Sequence, residues 1–416
     1  MTEVGASRGP VARGSMARVG TATAVTALCG YAVIYLAARD LAPGGFSIFG
    51  VFWGAFGLVT GAANGLLQET TREVRSSQYV EVAVGSRTHP LRVAALVGVA
   101  AAAVIAGSSP LWSGRVFVEG RWLSVALLSV GLAGFCLHAT LLGMLAGTNH
   151  WTNYGALMVT DVVIRVAVAA AAFVTAWGLT GYLWATVAGS AAWLIMLLAS
   201  PTARAASRLL TPGGTATFLR GAAHSITAAG AAAILVMGFP VLLKLTSNHL
   251  GAQGGVIILA VTLTRAPLLV PLTAMQGNLI AHFVDERSDR IRALIAPAAI
   301  ISGIGGVGVL AAGVVGPWLL RVAFGPQYLA GSALLAWLTA AAVAIAMLTL
   351  TGAAAVAAAL HRAYSLGWVG ATVASGLLLL LPLPVQTRTV VGLLCGPLVG
   401  IGVHLVALSR AGRLTG

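Results

Sequence analysis

The sequence predicts an all-α, polytopic membrane protein of about twelve transmembrane helices, and three observations carry that expectation. Of its 416 residues, 58% are hydrophobic and only 8% are charged, too little polar surface to coat a globular fold of this size. Apolar runs of spanning length recur along the whole chain, and the segments between them are too short to hold a soluble domain or a catalytic head. The runs are apolar on every face instead of alternating, which excludes a barrel whose strands turn a polar side to a lumen.

The first seventeen residues are a polar stretch containing Gly and Arg, expected to be a disordered cytoplasmic tail. Twelve apolar runs follow, at 18–39, 46–67, 91–113, 123–147, 155–177, 181–200, 223–246, 254–283, 293–316, 330–360, 366–383 and 389–409. Each is about long enough to cross ~30 Å of hydrocarbon as a helix. The two longest, ending near Phe283 and Leu360, must tilt, bend or project from the bilayer. A connector at 201–222 contains the break Thr211-Pro212-Gly213-Gly214 and separates a six-helix bundle at 18–200 from a second at 223–409, with 410–416 as a closing cytoplasmic tail. The halves echo each other. Ala42-Pro43-Gly44-Gly45 opens the second span and Ala252-Gln253-Gly254-Gly255 opens the eighth, corresponding positions in a duplicated 6+6 arrangement.

The formal net charge of +14 is spread thinly between apolar runs, without the aromatic-interleaved basic patch that a nucleic acid would follow. With the amino terminus inside, sixteen of the 24 basic residues fall in cytoplasmic segments, six lie on the outer side, and Arg165 and Arg265 fall within spans. The positive-inside rule therefore puts both termini in the cytoplasm. The excess of Arg over the single Lys244, with abundant Ala and Gly, points to a high-GC bacterium and so to its cytoplasmic (inner) membrane. Cys29, Cys136 and Cys395 lie far apart inside apolar runs and read as core residues. His138, His224, His282 and His404 are on separate spans without paired spacing, so no metal is expected. The lone lysine allows no GxxxxGK[ST] phosphate loop, which removes direct ATP drive, and no cofactor is implied.

Several stretches resemble the multidrug/oligosaccharidyl-lipid/polysaccharide (MOP) exporter superfamily, particularly its Wzx-type flippases of lipid-linked oligosaccharides. Tyr35-Leu36-Ala37-Ala38-Arg39-Asp40-Leu41-Ala42-Pro43-Gly44-Gly45-Phe46 is similar to that family's first hairpin, and Thr70-Thr71-Arg72-Glu73-Val74 to the end of its second helix. Phe324-Gly325-Pro326-Gln327-Tyr328 resembles its outer FG-x-x-Y turn, and His361-Arg362 the inner turn that follows. The resemblance implies two pseudo-symmetric six-helix bundles in a V around a central cavity, alternating between faces to turn a polyprenyl-linked glycan across the membrane for envelope polysaccharide synthesis. Its implied partners are that glycan lipid, the surrounding membrane lipid, and envelope glycosyltransferases or a polymerase.

Independently of any family, a charge deep in a bilayer costs at least ~2.5–3.5 kcal/mol, so intramembrane charges are candidates for function. Arg265 lies about eleven residues into the eighth span, ~16 Å along the helix, with Pro267 and Pro271 opening the backbone after it. Its planar fork suits a lipid (pyro)phosphate; the competing reading is a lock onto a carboxylate or carbonyl. Lys244, four residues after Pro240, either serves the cavity or snorkels to the outer interface. Asp161 and Arg165 are spaced i,i+4 and form either a structural ion pair or one opened by substrate phosphate or a coupling cation. Glu69, Arg72, Glu73 and Arg75 guard the cytoplasmic entrance or mark the interface. Asn64, Gln68, Gln276 and Asn278 bind sugar hydroxyls or join helices. Gly50, Gly54, Gly57, Gly61 and Gly65 form one stripe along the second helix, for close packing or as a groove for a prenyl tail.

Three function classes are compatible with these residues. A lipid-glycan flippase is favoured over a cation-coupled drug exporter because the interior holds Arg265, Lys244 and Arg165 against one carboxylate, Asp161. A polyprenyl-phosphate-sugar glycosyltransferase would need a carboxylate in a long outer loop, whereas Asp40 lies in a loop of about six residues. The protein is therefore expected not to be an enzyme.

Overall fold

A chain that spans hydrocarbon has no water to satisfy its peptide groups, so apolar runs of this length close their hydrogen bonds within themselves as helices. The computed structural model describes residues 10–77, 87–117, 119–247, 249–285 and 290–415. The first half contains α1 (Pro10–Asp40), α2 (Pro43–Ser76), α3 (Pro90–Val116), α4 (Arg121–Gly147), α5 (Trp151–Val174), α6 (Gly178–Ala188), α7 (Ala192–Ala199) and the short α8 (Pro201–Ser207). The second contains α9 (Thr215–Val236), α10 (Phe239–Leu245), α11 (Gly251–Asp285), α12 (Arg290–Val314), α13 (Gly316–Phe324), α14 (Ser332–Ala357), α15 (His361–Leu378) and α16 (Val385–Thr415). Among the described residues, eleven helical stretches are long and apolar enough to cross a membrane, with α6 and α7 counted together through the 3-10 turn Gly189–Ala191. The remaining one, α15, has 18 residues and opens on His361-Arg362, which lowers its hydropathy.

Several boundaries differ from the sequence expectation. α1 starts at Pro10, inside the stretch read as a tail, while residues 1–9 lie outside the described residues. The expected linker 201–222 is mostly ordered: α8 occupies its start, capped by Ser200 accepting from the Ala203 N–H, and α9 begins at Thr215. Between them, β2 (Thr211–Pro212) pairs antiparallel with β1 (Arg87–Thr88), which joins the two longest connectors. The seventh expected span divides at Met237–Gly238 into α9 and α10. Pro240 has no N–H to give to the carbonyl four residues before it, so the ladder breaks there. The ninth divides at Val315 into α12 and α13.

The packing repeats between halves. In the first, α2 and α3 lie on α4, α1 on α5, and α5 on α6. In the second, α11 and α12 lie on α14, α9 on α15, and α15 on α16. α4 and α14 are each the central helix of their half, and no other span buries a larger share of its residues. The halves meet through α2, whose glycine stripe receives α9, α10 and α11. Cβ atoms added at Gly54, Gly57 and Gly61 would stand 3.0 Å from Pro240, 3.2 Å from Met237 and 2.6 Å from Ala233. At Gly65 one would strike the Ile226 backbone. The stripe is therefore filled by helices, and it is not an open groove for a lipid tail.

Candidate functional site: the seam between the halves

The two duplicated opening turns lie against each other. A Cβ on Gly255 would collide with the carbonyl of Pro43, so the start of α11 crosses the start of α2 with backbone against backbone. This close approach accounts for Gly255, whereas a Cβ on Gly44 would meet nothing within 4 Å and one on Gly45 only the Leu41 side chain at 3.5 Å. The same end of the molecule is closed by aromatics. Tyr328, fully buried, donates its hydroxyl to the Leu41 carbonyl (3.1 Å) and packs edge-on against Phe46 and Phe324. Phe324 in turn meets Tyr35 of α1 at 5.6 Å between ring centroids. The FG-x-x-Y turn is thus a clasp between the halves, with Gly325 supplying a φ of 103°.

Toward the other end, burial falls off along α1 but continues along α11. Val33, Ile34, Ala37 and Ala38 of α1, and Gly254 to Val261 of α11, are buried. Beyond Tyr31, Leu28 of α1 is 71% exposed, whereas beyond Arg265 the side chains of Leu269, Leu272 and Phe283 on α11 stay buried. Arg265 lies on α11 just after its first buried segment. It is 7% exposed, and its Nη1 donates to the carbonyls of Val236 (3.0 Å) and Leu235 (3.4 Å) at the end of α9. Val236 is the carbonyl that Pro240 deprives of its helical partner, so the guanidinium caps a broken helix at its negative end. The charge lies 5.3 Å from the Phe239 ring centroid and within electrostatic reach of Tyr31 on α1. Nη2 is buried and has no hydrogen-bond partner. The carbonyl lock expected as one reading is present, and it leaves half of the fork unused.

The other basic groups do not converge on Arg265. Lys244 lines a separate cavity of about 330 Å³ at the closed end, with Glu119, His249 and the openings of α2 and α11. Arg165 is inside the first half, 11% exposed, where its Nε and Nη2 reach Asp161 Oδ1 at 3.1 and 3.0 Å and its Nη1 donates to the Thr186 carbonyl. Every nitrogen of that fork is engaged, and Phe56 covers it. Lys244, Arg165 and Arg265 therefore do not share one cavity, and of these Arg265 keeps a buried nitrogen without a hydrogen-bond partner. The structural reading of Asp161 and Arg165 fits this geometry. His138 is buried beside them, a neighbour that spacing does not reveal, because α4 and α5 come together only on folding.

Glu69 and Glu73 both hold Arg72, at 2.6 and 2.8 Å. Glu69 is buried against Gly221 at the start of α9, and the group ties α2 to α9 at the end away from the clasp. Asn64 and Gln68 share a helical face with Arg72, turned away from α4, which meets Leu67, Thr70 and Val74. The side chains of Gln276 and Asn278 lie outside the described residues. Tyr31 and Phe239, both at the guanidinium, are absent from the sequence-based candidates; an aromatic in an apolar run carries no signal of its own.

This is the fold of the MOP-superfamily transporters. An inward-facing MATE-family multidrug resistance transporter superposes with a TM-score of 0.73 at 14% identity, over 94% of this chain and 96% of that one. The outward-facing conformation of a MATE-family transporter gives 0.66, over 98% of each chain. A MOP-superfamily transporter from Pyrococcus furiosus, described as having reversed binding-pocket polarity, gives 0.64 at 13% identity, over 95% and 96%. These solved neighbours are transporters, not enzymes. No family profile matches the sequence. Full-length relatives are found in mycobacteria: Uncharacterized protein Mb3654 of Mycobacterium bovis is 83% identical over 98% of this chain and 94% of its own length. Uncharacterized proteins Rv3630 and Rv1510 of Mycobacterium tuberculosis are 82% and 73% identical, over 94% and 96% of their lengths. The chain belongs to this mycobacterial family of multi-pass membrane proteins.

Proposed function

We propose that the protein is a flippase that carries a polyprenyl-(pyro)phosphate-linked sugar or oligosaccharide across the cytoplasmic membrane for cell-envelope polysaccharide synthesis. The observation that supports this reading is the buried Arg265, held at the seam with one guanidinium nitrogen unpartnered. Such a donor suits a phosphate oxygen, and a buried cation repels a cationic drug. Asp161, the intramembrane carboxylate that a cation-coupled exporter would use, is already neutralised by Arg165. That the fold tolerates a pocket of altered polarity is consistent with the description of the Pyrococcus transporter.

In this reading the clasp at Tyr328 closes the outer side, and the substrate enters from the cytoplasmic side. The phosphate engages Arg265 and Tyr31, the glycan reaches Asn64 and Gln68, and the prenyl chain stays in hydrocarbon. Direction follows from unequal phosphate affinity of the two states. The test is flipping of a fluorescent polyprenyl-diphosphate glycan in proteoliposomes. Native protein is expected to flip it, Arg265→Ala to lose at least about tenfold in rate, and Arg265→Lys to retain part, since an ammonium donates but cannot fork. Equal rates in all three would reduce Arg265 to a helix cap, and no flipping of any prenyl-linked substrate would return the drug exporter to first place.

A further inference from the structure

The clasped end holds a polar cavity that the proposed function does not use. We infer that this cavity, where α2 and α11 start and α10 ends, binds a phosphate group, carried by a lipid headgroup or free in solution. The inference stands apart from the flippase reading, since Arg265 does not line the cavity. Its volume of about 330 Å³ is near the lower bound of the ~300–1,000 Å³ usual for ligand sites, the size of a headgroup. The two helices that start on it are 34 and 35 residues long, and the first N–H groups of a helix have no partner within it and carry its positive end. In α2, Pro43 supplies no N–H and no side chain caps the turn. The Phe46 N–H goes to the Ala42 carbonyl (2.9 Å), and Gly44 and Gly45, which line the cavity, are left with their amides uncovered by side chains. A Cβ on Gly44 would meet nothing within 4 Å, so this glycine leaves open space beside its amide and makes no close helix contact.

Side chains of both halves complete the donor set. Gly44, Ser47, Ile48 and Val51 share one face of α2 and all line the cavity, which turns the Ser47 side chain toward it. Ser47 is 4% exposed, and its hydroxyl makes no hydrogen bond among the described residues. From the second half come Lys244, in the last turn of α10, and His249. The His249 Nε2 would stand 3.3 Å from a Cβ on Gly251, which places the imidazole at the start of α11. The Lys244 ammonium has no ion pair or hydrogen bond among the described residues. One exposed carboxylate, Glu119 of the α3–α4 connector, lines the same cavity. An ammonium, an imidazole, a hydroxyl and two helix starts thus stand against a single carboxylate. A tetrahedral oxyanion accepts from all of these donors, whereas a cation would face the positive helix ends. Because Gly44 and Ser47 belong to the first half and Lys244 and His249 to the second, a bound phosphate ties the halves together at the clasped end.

The experiment titrates the full chain, purified in detergent without phosphate, with inorganic phosphate and reads binding by calorimetry. Native protein is expected to bind it. Lys244→Ala is expected to weaken binding about tenfold, the loss of one charge-assisted hydrogen bond, and Lys244→Arg to retain most of it. Ser47→Ala, which removes only a hydroxyl, is expected to weaken it about fivefold. Glu119→Gln should strengthen it, because a like charge leaves the wall, and Arg265→Ala should keep the Lys244-dependent binding. Repeating the titration in phosphatidylcholine nanodiscs with and without phosphatidic acid separates the two sources. Competition by phosphatidic acid that Lys244→Ala abolishes assigns the site to a lipid headgroup, and lack of competition assigns it to free phosphate. The inference is overturned if native protein binds no phosphate, if Lys244→Ala and Ser47→Ala both bind as native does, or if Glu119→Gln weakens binding, the sign expected of a cationic ligand. Loss of all binding in Arg265→Ala would move the phosphate to the seam and remove this site. Failure of flipping with Lys244-dependent binding intact would cost the flippase reading and leave the site in place.

Discussion

Two buried guanidinium groups in this chain have opposite fates. All three nitrogens of Arg165 are committed to Asp161 and to the Thr186 carbonyl, whereas Arg265 spends one on the end of α9 and keeps another free. An engaged pair in a low-dielectric site is costly to break from one side, because the survivor remains buried and unpaired. Arg165→Gln is therefore expected to destabilise the protein by about 3–5 kcal/mol, read as a lower thermal transition in detergent. The double variant Asp161→Asn/Arg165→Gln should recover part of the loss, and a stable Arg165→Gln with wild-type melting would show that the pair contributes nothing to the bundle. Sequence spacing makes this pair visible, because i,i+4 on one helix guarantees a shared face. The same spacing is silent on Arg265, whose partners are 29 and 30 residues away and become partners only when α9 breaks.

At the scale of the element, glycines with the same look in the sequence do different work. A Cβ placed on Gly30 would have no neighbour within 4 Å, while one on Gly65 would meet the Ile226 backbone. Gly30→Ala is expected to be neutral or to stabilise by a few tenths up to about 1 kcal/mol through helix propensity. Gly65→Ala must push α9 off α2, and loss of folded protein by size-exclusion chromatography would report it; a monodisperse, active Gly65→Ala would refute the close crossing. The Tyr328 clasp makes a second prediction. Tyr328→Phe removes one hydroxyl donor to Leu41, worth about 1 kcal/mol. That is enough to shift the two-state balance about fivefold toward opening at this end. Thiol labelling of a Ser47→Cys reporter, buried at this end, should speed up accordingly, and unchanged labelling would mean that the rings alone hold the closure.

Across the whole molecule, the C-terminal half of α1, the N-terminal halves of α2 and α11 and the clasp share one apolar core that draws on both bundles, while the opposite end is held by the Glu69–Arg72–Glu73 group against α9. A closure built from apolar contacts at one end and from a charged cluster at the other suits an element with two states, because each end can release without dismantling either bundle. Orientation is a matter of charge distribution over all connectors. Reporter fusions before Met1 and after Gly416 are both expected to be active only in the cytoplasm. A periplasmic signal from both would reverse the orientation, and one from a single terminus would mean an odd number of crossings.

Composition and the spacing of apolar runs were sufficient to determine an all-helical membrane protein, its approximate number of crossings and its division into repeating halves. Those properties follow from the bilayer itself, which imposes length and apolarity on each segment separately. Of the paired glycines in Ala42-Pro43-Gly44-Gly45 and Ala252-Gln253-Gly254-Gly255, the sequence shows the repeat but not that Gly255 alone meets the opposite turn. What the tertiary structure alone decided was partnership: that Lys244, Arg165 and Arg265 occupy three separate environments, and that the stripe on α2 is filled. Partnership depends on where helices break and cross. Breaks at Met237–Gly238 and Val315 reorient everything after them, and a run of apolar letters does not encode that direction.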